Sequence, residues 1–141
     1  MYVHTLYIEN LRCFSATQIQ FQYPGREKQR VRHPNINLLL GNNGTGKTTV
    51  LKGIALALLS PIIEGAGYVP YHLIRHHATA ALISAEVIVH QQDTSQASAN
   101  SSAVEQVETR VESRGSLEML RSTTKTSPLV KSGLEVRANP E

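Results

Sequence analysis

Ile36-Asn37-Leu38-Leu39-Leu40-Gly41-Asn42-Asn43-Gly44-Thr45-Gly46-Lys47-Thr48-Thr49-Val50-Leu51 joins an apolar run, a glycine-rich loop and the start of a second apolar run. Between Gly41 and Thr48 the loop satisfies the pattern G-x-x-x-x-G-K-[ST]. A phosphate chain needs several donors at close range, and glycines let successive backbone N–H groups converge on one anion. Gly41, Gly44 and Gly46 supply that freedom here. Lys47 is expected to reach the β- and γ-phosphates, and the Thr48 hydroxyl to complete a Mg²⁺ shell. A helix starting at this point would aim the positive end of its dipole at the same phosphates. With Asn42, Asn43, Thr45 and Thr49 completing the cradle, the expected ligands are a nucleoside triphosphate and Mg²⁺.

A pattern this short also arises by chance in loops, so its context decides. Ile36 to Leu40 has the length and bulk of a buried parallel strand. After the loop, Val50, Leu51, Ile54 and Leu58 recur at helical spacing, with Ala55, Ala57 and Leu59 filling in. Ser60-Pro61 is expected to stop that helix. Strand, loop and helix are the setting that a phosphate-binding loop requires.

Upstream, Tyr2 to Ile8 alternates imperfectly and reads as a first strand. Ile19-Gln20-Phe21-Gln22-Tyr23 alternates more cleanly and ends at Pro24-Gly25, a second strand followed by a turn. The two suggest an antiparallel pair. Arg26, Lys28, Arg30 and Arg32 then form a basic loop, whose default reading is a solvated turn and whose alternative is a contact with DNA or another phosphate. Downstream, Gly65, Gly67 and Pro70 mark a connection, and Ala80 to His90 has the high β-propensity of a strand. Residues from Asp93 to Ser102 hold almost nothing large to bury and read as a loop or spacer. Val104, Val107 and Val111, then Leu117, Met119 and Leu120, favour further strands over a short helix. The expected division is residues 1–91 as one lobe and 92–141 as a polar, partly strand-forming or flexible extension.

The chain has 141 residues and a formal net charge of +3 with 11 acidic residues, so it is not an indiscriminate polycation. Its single cysteine, Cys13, excludes an intrachain disulfide and a multi-cysteine zinc site, which fits a reducing cytoplasm. No apolar run approaches the roughly 18 residues of a bilayer span, and the N-terminus lacks a basic region followed by an apolar stretch. Cytoplasmic location without membrane insertion is the expectation. His72 and His76 are spaced to share a helical face as metal ligands, but Pro70 and the β-rich surroundings favour ordinary loop histidines.

The first 90 or so residues resemble the start of an ABC-class ATPase of the SMC, RecF and OLD-like branch. Ile8-Glu9-Asn10-Leu11-Arg12-Cys13-Phe14 is similar to its opening "I-x-N-[FL]-[RK]-x-[FY]", and Asn37 to Leu51 to its "N-h-h-h-G-x-N-G-x-G-K-[ST]-[ST]-h-h". Asn43 and Gly44 are the discriminating pair. Leu73-Ile74-Arg75-His76-His77-Ala78-Thr79-Ala80-Ala81-Leu82-Ile83 resembles the passage "h-h-R-x-G-x-x-x-A-x-h", with His77 where a glycine is usual. The resemblance implies an α/β P-loop NTPase fold, specifically a partial ABC-type head with an antiparallel β-lobe and few helices. It also implies ATP sandwiched between two heads, and Arg12 near the nucleotide. Arg12 taken alone reads as a surface residue.

Hydrolysis in this class needs an apolar strand ending in Asp-Glu, to hold Mg²⁺ and orient water. Asp93 is the chain's one aspartate, and His90-Gln91-Gln92 precede it without a following glutamate. The Leu-Ser-Gly-Gly-Gln signature is absent too, with Lys131 to Glu135 only a faint echo, and no switch histidine is identifiable. No residue is therefore assigned as catalytic. The chain is expected to bind ATP as the N-terminal half of a DNA-repair or phage-defence ATPase, with hydrolysis requiring a C-terminal lobe and dimerisation. The alternative is a non-catalytic interaction fragment or truncated remnant. Either way, an incomplete core sheet predicts exposed apolar faces and self-association, so a homodimer or a complementing second lobe is the expected partner.

Overall fold

Residues that alternate between apolar and polar along the chain resolve into strands of one sheet, and the apolar run after the glycine-rich loop becomes a helix across it. A computed structural model describes residues 1–25, 32–89 and 103–123. In chain order, β1 spans Tyr2–Leu11, β2 Phe14–Gln20, α1 Lys47–Gly65, β3 Ala80–Val89, β4 Ala103–Arg114 and β5 Leu117–Ser122. The sheet order is β2-β1-β3-β4-β5, with every pairing antiparallel. β4 and β5 thus continue the sheet that β1 and β3 begin.

Register gathers the apolar side chains on one face. Leu6 stands opposite Ala85 and Ile8 opposite Ile83; Ala85 then meets Val107, and Val111 meets Leu120. Because side chains alternate with period two, a slip of one residue would turn this whole set to the other face. α1 covers it. The helix's buried residues Thr49, Val50, Gly53, Leu56, Ala57 and Ser60 recur at helical spacing. Gly53 permits close approach, since a Cβ there would stand 3.1 Å from Ile8 Cδ1. Leu51, expected in the core stripe, is instead 59% exposed. One buried polar cluster fixes the helix along the sheet. Thr109 Oγ1 donates to Ser60 Oγ at 2.7 Å, and Ser60 Oγ donates to Ser122 Oγ at 3.1 Å.

Three expectations need correction. The second strand starts at Phe14 and ends at Gln20, not Ile19 to Tyr23. It is one of the sheet's two edge strands and none of its residues is fully buried, so burial does little to set its bounds. The helix does not stop at Ser60-Pro61 but runs through Pro61 to Gly65. What terminates it is Gly67, at φ 72°. Gly67 N donates to Glu64 O at 3.2 Å and Tyr68 N to Ile63 O at 3.2 Å, the paired bonds of a left-handed glycine stop. Beyond Pro61 the helix is held by tertiary contact, with Ser122 N donating to Glu64 Oε2 at 2.9 Å. By length and composition α1 is apolar enough to cross a bilayer, although one face is buried on the sheet.

The third correction concerns the run before the loop. Ile36 to Leu40 forms no strand, and no parallel pairing occurs among the described residues. Ile36 is 53% exposed, Leu38 78% and Leu40 88%, while Leu39 is half-buried against the core. A parallel strand is defined by its neighbours' hydrogen bonds, and among the described residues no neighbour supplies them.

Candidate functional site

The segment entering the loop is fixed by a side chain in place of a ladder. Asn37 Oδ1 accepts from Gln22 N at 2.8 Å, and Asn37 Nδ2 donates to Gln22 O at 2.9 Å, so its amide pairs with one residue's backbone as a strand neighbour would. Asn37 opens the loop motif in the sequence, and this pairing is a role its position did not reveal.

From Gly41 the chain curls tightly. Thr45 Oγ1 donates to Asn42 O at 2.8 Å, and a Cβ at residue 41 would stand 2.6 Å from that same Oγ1. Only a glycine fits there. Lys47 Nζ donates to Gly41 O at 2.6 Å and Asn42 O at 2.7 Å, so the ammonium lies across the mouth of the curl. Asn42, Asn43, Gly44, Thr45 and Thr48 are exposed, whereas Thr49 is buried. The loop therefore presents backbone and small polar groups to solvent around one fixed positive charge.

Gly46 is the hinge between loop and helix. It is the N-cap of α1 with φ 97°, a left-handed conformation natural to glycine, and Val50 N donates to its carbonyl at 3.0 Å. The N–H groups of residues 47–49 precede that first intrahelical bond and point along the helix axis without a helical acceptor. No acidic residue lies in the first turn, and no side chain caps it. This end of α1 thus keeps both its donors and its dipole for an anion.

The turn between β1 and β2 forms the wall of the loop. A Cβ at residue 46 would stand 2.6 Å from Phe14 Cζ and 2.7 Å from Cys13 Sγ. Both side chains lie directly against Gly46, a contact that sequence reading missed because it crosses more than thirty positions. Arg12 is in the same turn, exposed, with φ 50°.

Other singled-out residues fall elsewhere. His72 and His76 are not on a helix, so they do not share a helical face. Instead Tyr71 and His72 rings meet edge to face at 4.0 Å, and those of His76 and His77 at 3.9 Å. Among the described residues no group of three His, Cys, Asp or Glu is placed to hold a metal. His77 adopts φ 71°, keeping the left-handed turn that the usual glycine would make. Arg32 is exposed; Arg26, Lys28, Arg30, Asp93 and Lys131 to Glu135 lie outside the described residues. An open cleft of about 510 Å³ is lined by Glu9, Asn10, His77, Leu82 and Arg110, with none of the loop's residues.

Comparison with known proteins gives a family, a relative and a solved structure. The family described as "AAA domain" matches residues 5–134. The DNA double-strand break repair Rad50 ATPase of Methanopyrus kandleri is 49% identical over 51 residues, 36% of this chain. The match spans only 5% of that relative's length. A solved structure titled "Structural biochemistry of ATP-driven dimerization and DNA stimulated activation of SMC ATPases" superposes with a TM-score of 0.56 at 14% identity. It covers 93% of this chain and 77% of the other, and at that identity the likeness is one of fold. The fold is a partial ABC-type head of the P-loop class, with an antiparallel lobe and few helices.

Proposed function

The chain belongs to the AAA-domain family, and from that premise we propose that it lies in an SMC/Rad50-like, ABC-class branch and binds Mg-ATP in the loop from Gly41 to Thr48. The observation that carries the reading is the hinge at Gly46. There the N–H groups of residues 47–49, which no helical carbonyl accepts, adjoin the exposed loop whose carbonyls hold the Lys47 ammonium at 2.6 and 2.7 Å.

The residue roles follow from this placement. Gly41, Asn42, Asn43, Gly44 and Thr45 supply the curl, and Gly46 to Thr49 supply backbone donors. Lys47 exchanges its two carbonyl partners for the β- and γ-phosphates. Thr49, being buried, contributes its N–H and not its hydroxyl. Arg12, on the adjoining turn, adds positive charge at the rim. Mg²⁺ keeps several waters and leans on substrate phosphates, so an exposed Thr48 hydroxyl is a sufficient protein ligand for a metal that arrives with the nucleotide. When bound, the ion would neutralise charge between the β- and γ-phosphates.

Hydrolysis requires an acidic residue to orient water, and the first turn of α1 carries none. The reading is therefore ATP binding here, with cleavage dependent on a complementing lobe and on dimerisation. The Rad50 relative is named for DNA double-strand break repair and the SMC structure for ATP-driven dimerization. By that analogy the pathway is DNA repair or a related defence against foreign DNA, in the cytoplasm. A second reading, a non-catalytic interaction fragment, is favoured by the exposure of Leu38 and Leu40.

Calorimetry with Mg-ATP separates the two. Binding by the wild-type chain that disappears in Lys47→Ala supports the nucleotide site. Equal heats from both proteins, or none from either, would leave the interaction fragment.

A further inference from the structure

Behind the loop, two segments far apart in sequence are laced together through their backbones. Arg12 N donates to Leu73 O at 2.8 Å and Arg75 N to Asn10 O at 2.8 Å, with Leu11 and Ile74 bridged between them. Two charged side chains secure this lacing at its ends. Glu118, on β5, accepts from Leu73 N at 2.8 Å and from Ile74 N at 3.0 Å. Arg75 Nη1 donates to Cys13 O at 2.8 Å. Cys13 and Phe14 then press on Gly46, where an added Cβ would be 2.7 and 2.6 Å away.

Backbone strain concentrates in the same place. The left-handed non-glycine residues among those described are Asn10 at φ 51°, Arg12 at 50°, His72 at 50° and His77 at 71°. All of them flank or belong to the laced segments. Such conformations persist where the surroundings over-determine them, and they gather where position matters for function. The Arg75 and Glu118 side chains provide that over-determination. They spend charge on neutral backbone groups and fill no core.

We propose that Arg75 and Glu118 are positioning residues for the phosphate loop. Glu118 fixes residues 73–75, Arg75 passes that position to the Cys13 carbonyl, and the Cys13-Phe14 pair sets the angle at Gly46. The proposal rests on the reading of Gly41 to Thr48 as the ATP site. Hydrogen bonds weaken steeply away from linearity, so a small rotation at Gly46 detunes every N–H of the first helical turn together.

The test uses the full chain and three variants. Arg75→Met keeps bulk and removes the donor, and Arg75→Lys keeps a donor that one carbonyl can accept. Glu118→Gln keeps shape but leaves one acceptor oxygen. The amide signal of Gly46 is followed by NMR without nucleotide, Mg-ATP affinity by calorimetry, and stability by thermal melting. Arg75→Met should displace the Gly46 signal and weaken ATP binding by about tenfold, the loss of one charge-assisted bond. Melting should change little, Arg75→Lys should restore both readouts, and Glu118→Gln should move them the same way by less. An unmoved Gly46 signal in Arg75→Met, or an Arg75→Lys as impaired as Arg75→Met, would overturn the proposal. A wild-type chain that fails to bind Mg-ATP would defeat the nucleotide reading instead, and the Gly46 signal would still decide the positioning role. Should Arg75→Met not fold, an unmoved signal in Glu118→Gln overturns it.

Discussion

Val107 stands in a strand whose valines are separated by charged and polar residues and Leu38 in a nearly continuous apolar run, yet Val107 is 1% exposed and Leu38 78%. β4 finds β3 on one side, β5 on the other and α1 above, so Val107 and Val111 are buried, while Val104 near the start of the strand is 64% exposed. The run from Ile36 to Leu40 has the residues of a core strand but, among the described residues, pairs with no neighbouring strand. It is held at one end by Asn37 against Gln22 and at the other by the curl around Lys47. Apolar sequence thus confers only the capacity for burial, and pairing partners decide whether it is used. The same chain holds a finished lobe and an exposed run without a paired neighbour among the described residues, with the glycine-rich loop directly after that run.

Substitutions should separate these regions sharply. In the finished lobe, Ile8→Ala removes a fully buried side chain and should cost about 2–5 kcal/mol in denaturant unfolding. Leu40→Ala should stay within about 0.5 kcal/mol of wild type, as surface changes do. A Leu40→Ala cost near that of Ile8→Ala would mean that the run is buried in solution and would erase the contrast. The paired change Leu38→Ser with Leu40→Ser should instead lower self-association in sedimentation at unchanged stability.

In the glycine-rich loop, Gly46→Ala combines a left-handed backbone with contacts under 3 Å to Phe14 and Cys13. Its cost should be about 1–3 kcal/mol, read by thermal melting, together with lost ATP binding. A wild-type melting profile would show that the turn does not press on the loop. Asn37→Ala is a smaller perturbation, on the order of 1 kcal/mol and local. Faster amide exchange at Gln22 with little global change is the expected result.

The smallest effect belongs to the outer face of the sheet. There the charge of Glu9, aided by its hydrogen bond, raises the Tyr7 phenol above its ordinary value of 10.0. A raised value means the folded chain keeps the phenolic proton longer than the unfolded one. The associated stability is present at neutral pH and is lost as pH climbs through the folded value. Ultraviolet titration should show Tyr7 ionising late in wild type and earlier in Glu9→Gln.

Much of the finished lobe was legible in sequence because its strands obey local rules. Leu6 and Ile8, Ile83 and Ala85, and Val107 and Val111 alternate with period two as a half-buried sheet demands. The glycine-rich loop and the start of α1 were legible for the same reason, since loop chemistry is local. Pro61 misled because tertiary contacts from Thr109 and Ser122 hold the helix through it, while Gly67 carries the true stop. Ile36 to Leu40 misled because strand formation depends on partners that the run itself does not encode. The Cys13, Phe14 and Glu118 contacts were beyond reach, being products of register between distant segments.

Hydrogen–deuterium exchange of the whole chain with and without Mg-ATP tests the central claim most directly. Protection confined to residues 41–50 and the adjoining turn at Arg12 and Cys13, and absent in Lys47→Ala, is the predicted result. No nucleotide-dependent protection at residues 41–50, or the same protection in Lys47→Ala, would contradict it.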